Sequence, residues 1–250
     1  MSDLLQVMLL ALFPAAGNFL GGLAAEATRT TPKRLSIALH LAAGILFGVI
    51  ALELAPRVFG GAPPWLAALA FFGGGVFYVV IGGIVERLTG GPESSGDGST
   101  PNSSGAWVIY AAVAVDLFSD GLLIGTGSSI SLSLALVLAI GQVTADIPEG
   151  FATIANFKDK GVSRPRRLLI SASFLIPVLA GALLSYLVLR DQSEAIQLTA
   201  LAFTAGLLLV AAAEEIIGEA HEAAPDTKRL TLAISAGFVL FALVASYFEA

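Results

Sequence analysis

The sequence predicts an all-α polytopic membrane protein of eight spans, and three observations carry that prediction. Of the 250 residues, 56% are hydrophobic and 13% charged, against roughly one-quarter charged in soluble domains. A helix needs about 20 mostly apolar residues to cross the hydrocarbon, and eight such runs occur, at approximately 4–25, 35–55, 64–85, 106–126, 132–156, 167–189, 195–217 and 230–248. Basic residues gather in alternate loops: Arg29, Lys33 and Arg34, then Arg87, then Lys158, Lys160, Arg164, Arg166 and Arg167, then Lys228 and Arg229, leaving Arg57 and Arg190 for the other side. Short loops rich in Lys and Arg stay cytoplasmic, so both termini are expected outside, in a multi-pass protein of the cell (inner) membrane.

Residues 1–250 read as one membrane domain, with little chain left for a soluble one. The formal charge of −6 says little about partners, because many of the acids fall inside the apolar runs. The expected partners are the lipid bilayer and a cation, with no nucleic acid, and a homodimer is left open. With no cysteine, disulfides, thiolate chemistry and soft-ligand metal sites are excluded. Met1-Ser-Asp-Leu-Leu lacks the basic start of a cleavable signal, so the first run is read as a span.

Span 1 carries Pro14, Asn18 and the small residues Gly17, Gly21 and Gly22, which suit close helix contact where lipid gives helices no hydrophobic drive to associate. Asn18 fits a pathway or a packing amide equally. Span 2 has His40 near its inner end, read as a hydrogen-bonded packing residue, and Glu53 near its outer end before Pro56, placed for an outer vestibule. Span 3 opens at Trp65, in keeping with an interfacial aromatic belt. Residues 88–105 are a Gly/Ser/Pro-rich polar stretch that cannot bury enough surface to order itself, and are expected to be a flexible cytoplasmic linker.

Spans 4 and 5 form an apolar hairpin with acids near the middle of each arm. The first arm reads Asp116-Leu-Phe-Ser-Asp120-Gly121 and the second Ala145-Asp146-Ile-Pro148-Glu149-Gly150. Residues three or four apart share a helix face, so Asp116 pairs with Asp120 and Asp146 with Glu149, and all four straddle the midplane. Ionisable groups at that depth are expensive and point to an ion or proton path; the bland alternative is that they bond to neighbouring backbone or hydroxyls. Pro148 removes its own N–H and leaves the Thr144 carbonyl without a helical partner, a second kind of ligand. The two motifs also match each other, in the manner of the inverted repeats of transporters.

Span 6 has no acid in its apolar run. Span 7 ends in Glu214-Glu215-Ile-Ile-Gly-Glu219-Ala-His221-Glu222. Glu215, Glu219 and Glu222 share a face near the cytoplasmic mouth, which suits an exit relay, with His221 beside it, or simply a solvated helix end. Span 8 has no ionisable residue in its middle and reads as scaffold.

At the hairpin the sequence resembles the ZIP (Zrt/Irt-like) family of divalent metal transporters, whose fourth helix carries His-Asn-x-x-Asp-Gly and whose fifth carries His-Glu-x-Pro-Glu-Gly. The match is Asp120-Gly121 in the first and Ile147-Pro148-Glu149-Gly150 in the second, with Asp146 acid for acid. Ala42-Ala-Gly44, Leu52-Glu53-Leu-Ala-Pro56, Phe77-Tyr78 and Ala205-Gly206 leading to Glu214-Glu215 extend the likeness over essentially the whole chain. The resemblance implies helices arranged three, two and three around a central metal site, with Asp120 and Glu149 as shared acids. Asp116 stands where the family has histidine, Leu117 where it has asparagine, Ala145 where it has histidine or another ligand, and Ile176 where it has the acid before Pro177. What remains is an all-oxygen set: Asp116, Asp120, Asp146 and Glu149.

Four carboxylates in low dielectric cannot all be charged without a cation, so they are expected to hold protons that an arriving divalent ion displaces. Oxygen ligands suit Mn²⁺, Fe²⁺, Mg²⁺ or Ca²⁺, whereas the family resemblance favours a transition metal with zinc as default. The expected function is inward transport of a divalent cation of the zinc, iron or manganese class, with no cofactor beyond the transported Zn²⁺, Fe²⁺ or Mn²⁺. The alternatives are a proton-coupled carrier of another solute and a non-transporting sensor built on the same fold. An enzyme is not expected: His-Glu-x-x-His is absent and no Gly-x-Gly-Asp supports an aspartyl protease through Asp116 and Asp146.

Overall fold

A computed structural model describes residues 3–29, 31–89, 103–224 and 228–249, and every regular element among them is helical. The described residues form eight rods. They are α1 (Asp3–Ala27), α2 (Pro32–Gly61), α3 (Pro64–Thr89), α4 (Ser103–Ile130), α5 (Leu132–Asp159), α6 (Arg164–Leu189), α7 (Glu194–Ala223) and α8 (Lys228–Glu249). Seven of these, α1 to α7, are long and apolar enough to cross a membrane, and α8 contributes a shorter apolar stretch, Leu232–Tyr247. Helix occupies positions 88–89 and 103–105 of the expected linker, and its remainder, 90–102, lies outside the described residues.

Prolines explain several irregularities. A proline inside a helix removes the N–H that would bond four residues back and crowds that carbonyl. Pro14 thus undoes the partner of Leu10, and α1 is interrupted at the next residue, Ala11. Pro177 does the same to Ser173, and α6 is interrupted at Phe174. Pro56 falls four residues after Leu52, which lies in a π-helical turn, Val49–Leu54, and α2 continues past the proline as Ala55–Gly61 instead of ending there. A second π-helical turn, Ala211–Ile216, divides α7 and leaves a terminal segment, Ile217–Ala223, with no proline to account for it.

The rods pack in two closely associated groups. In one, α1 lies along α5, α4 along α6, and α4 along α5; in the other, α2 lies along α8 and α3 along α7, with α2 against the end of α7. The groups meet where α2 touches α5 and α7 touches α4. The largest buried apolar cluster runs through this seam, joining Leu39, Ile45 and Val49 to Leu134, Leu138, Leu201, Leu208 and Phe241. Outward faces are apolar too: Trp65, Leu69, Phe72, Val79 and Val80 of α3 are exposed. A run of large apolar side chains turned outward on a long helix matches a lipid solvent, where water would penalise the exposed area.

Glycines set the closest approaches around the hairpin. A Cβ on Gly150 would fall on the main-chain carbonyl of Asn18 in α1, and one on Gly121 on that of Val178 in α6. The glycine after each motif acid is therefore what lets α1 and α6 reach main-chain contact with the hairpin.

Candidate metal centre

The hairpin turns at Ser131, whose hydroxyl accepts from the Leu134 N–H at 3.1 Å and caps α5. From there α4 and α5 run side by side, and their acids face one another. Asp116, Asp120 and Asp146 each offer an oxygen, and these oxygens all lie within 4.8 Å of one another. Asp116 also lies against Glu149, and Asp120 against Asp146, carboxyl to carboxyl. Three acids of the two motifs thus converge on one point, with Glu149 alongside Asp116. Asp120 and Asp146 are 1% exposed and Asp116 8%, while Glu149 is partly buried.

Gln142, one turn before Asp146 on α5, donates from Nε2 to Asp120 Oδ1. Asp120 Oδ2, Asp146 Oδ2 and Gln142 Oε1 are buried and find no donor among the described residues. Ionised carboxylates only accept hydrogen bonds, and taking them out of water uncompensated costs several kcal/mol per ion. A cluster of acceptors so short of donors is completed by protons or a bound cation. The donor set is all oxygen, which fits hard and borderline divalent ions.

One cavity borders the cluster, and a second lies at the end of the bundle where α5 and α7 finish. The first, about 30 Å³, is lined by Asp116, Glu149, Thr153 and Glu219 together with Leu39, Val113, Ala152 and Ile216. The second, about 470 Å³, is lined by Asn156, Glu219 and Glu222, with Thr31, Pro32, Leu35, Asp159 and Lys160 at its rim. Glu219 lines both, and Asn156 Nδ2 donates to its Oε1. Of the other acids singled out along the chain, Glu53 is buried on α2 and takes an ion pair from Arg57 at 3.2 Å. The Glu215 side chain lies outside the described residues, and His221 is exposed.

His40 is fully buried, its Nδ1 lies 2.7 Å from the Ser36 carbonyl, and its Nε2 finds no hydrogen-bond partner among the described residues. Its ring also stands 5.2 Å from that of His221, a pairing made by the docking of α7 on α2. Asn18 is buried in α1 with both amide atoms unpartnered among the described residues, and its main chain touches Gly150.

Gln142 and Asn156 escaped the sequence reading. The signal that would have found them is a polar stripe on α5, Gln142, Asp146, Glu149, Thr153 and Asn156, at alternating steps of four and three.

Among the described residues, fold and site together define an all-helical protein with seven membrane-length apolar helices and a buried carboxylate cluster between two of them. No family model matches the chain, and no curated protein matches it.

Proposed function

We propose that the chain is a membrane transporter, divergent within the ZIP class, that moves a divalent cation of the zinc, iron or manganese class inward through the carboxylate site between α4 and α5. The observation that carries this reading is the convergence of Asp116, Asp120 and Asp146 oxygens within 4.8 Å, with donor-less oxygens on Asp120, Asp146 and Gln142 beside them. The resemblance at Asp120-Gly121 and Pro148-Glu149-Gly150 supports the class. On this reading α8 is the eighth span, the helices follow the family's three, two and three arrangement with inverted repeats, and both termini lie outside an inner membrane. The ion is cargo and the chain a carrier, not an enzyme.

In this mechanism the cation enters from the outer side and displaces protons from the cluster. Asp120 and Asp146 supply the buried donor-less oxygens, Asp116 and Glu149 the exit side, and Gln142 holds Asp120 in orientation. Because protons compete for the same oxygens, apparent affinity rises with pH. Uptake of labelled Mn²⁺ and Zn²⁺ into proteoliposomes tests the reading. The wild type is expected to accumulate at least one of them above empty vesicles, and Asp120→Asn with Glu149→Gln to abolish that flux; equal flux in both would refute it.

A further inference from the structure

We propose that the terminal segment of α7, Ile217–Ala223, is the inner gate of the pathway, hinged at the π-helical turn Ala211–Ile216 and latched shut by the hydrogen bond from Asn156 to Glu219. The proposal rests on the transport reading above and adds the device that controls exit. Its first support is that Glu219 belongs to both cavities: it lines the small one beside Asp116 and Glu149 and the large one at the end of the bundle. The side chain is the shared wall between them.

The second support is size. The inner cavity, at about 30 Å³, is far smaller than the pocket of about 470 Å³ beyond it, and the side chain that lines both, Glu219, is tied by a hydrogen bond from Asn156.

The third support is the backbone. π-Helical turns are rare and concentrate at functional positions, and this one separates the seven-residue gate from the long, well-packed part of α7. The same construction recurs at the opposite end of α2, where the turn Val49–Leu54 precedes the short segment Ala55–Gly61. On α5 the polar stripe steps from Glu149 through Thr153 to Asn156, so an ion leaving the cluster meets an oxygen at each turn, ending at Glu219 and Glu222 in the wider pocket.

The chain has no native cysteine, so a single Thr153→Cys probe reports on the inner cavity without background. In vesicles, its modification by a charged methanethiosulfonate reagent is expected to be slow. Adding Asn156→Ala, or independently Glu219→Ala, should speed it by about tenfold, the shift expected for losing one hydrogen bond to a charged acceptor. Glu219→Gln, which still accepts from Asn156, should keep the probe protected, lower Mn²⁺ flux severalfold and leave Mn²⁺ affinity in detergent within about twofold. Unchanged probe rates in both alanine variants, each confirmed monodisperse by size exclusion, would overturn the gate while leaving the transport reading intact. Absence of any wild-type cation flux would overturn both.

Discussion

Replacing Asp120 by asparagine should stabilise the protein without cation and abolish the further stabilisation that a cation brings. Unit charges 4.8 Å apart repel by about 3.5 kcal/mol at an effective dielectric near 20, and Asp120 faces both Asp116 and Asp146 at or inside that distance. Asparagine keeps an oxygen to accept from Gln142 and gains an N–H to offer Asp146. Protons relieve part of the repulsion in the wild type, so the net gain should fall below that figure, at about 1 to 3 kcal/mol. For a chain of this size that raises the melting temperature by about 2–4 °C per kcal/mol. The assay is thermal unfolding in detergent, with EDTA and with Mn²⁺. The wild type should gain about 2.7 kcal/mol at a hundred times its dissociation constant, and Asp120→Asn should gain nothing. A variant that melts below the wild type in EDTA would refute the view that these carboxylates crowd one another.

Gly150→Ala should force α1 from α5, since the new methyl meets the Asn18 carbonyl; overpacking of this kind costs about 1–3 kcal/mol, and the loss is read as a lower melting temperature together with weaker Mn²⁺ binding. Arg167→Ala removes a guanidinium that bonds Glu26 and the Val162 carbonyl. Arg164 remains 3.6 Å from that carboxylate, so the cost should be about 2–3 kcal/mol, below the usual 3–5 for breaking a buried pair, seen in the same melts without a change in cation affinity. Lowering the pH from about 7.5 to 6 should weaken Mn²⁺ binding to the wild type, because bound cation and bound protons exclude each other; calorimetry showing pH-independent affinity would contradict the competition.

Spans and acids were legible for a common reason. Hydrocarbon admits only helices and closed barrels, whose backbones are satisfied internally, and a continuous apolar run of about twenty residues fits the helix alone. Once Asp116 with Asp120 and Asp146 with Glu149 lie on one face of consecutive spans, the hairpin alone brings them together. Amides carry no such signal: Gln142 and Asn156 look like neutral filler until the facing helix supplies Asp120 or Glu219. Prolines were only half informative. Pro14 and Pro177 interrupt their helices, whereas α5 runs unbroken through Pro148. The π-helical turn at Ala211–Ile216 has no residue in its sequence that announces it. The ring contact between His40 and His221 depends on how distant helices dock, which local pattern does not encode.

The glycine contacts reach beyond stability. Asp120 and Glu149 each precede a residue whose main chain rests directly on a neighbouring helix, Gly121 on α6 and Gly150 on α1. Main-chain contact leaves no side chain to readjust at those two points, so the backbone beneath both acids is held by its neighbours and any change in the spread of the donor oxygens has to come from the acid side chains themselves. Selection among hard cations follows from cavity size and rigidity, so on the transport reading these two main-chain contacts bear on which ion the site prefers.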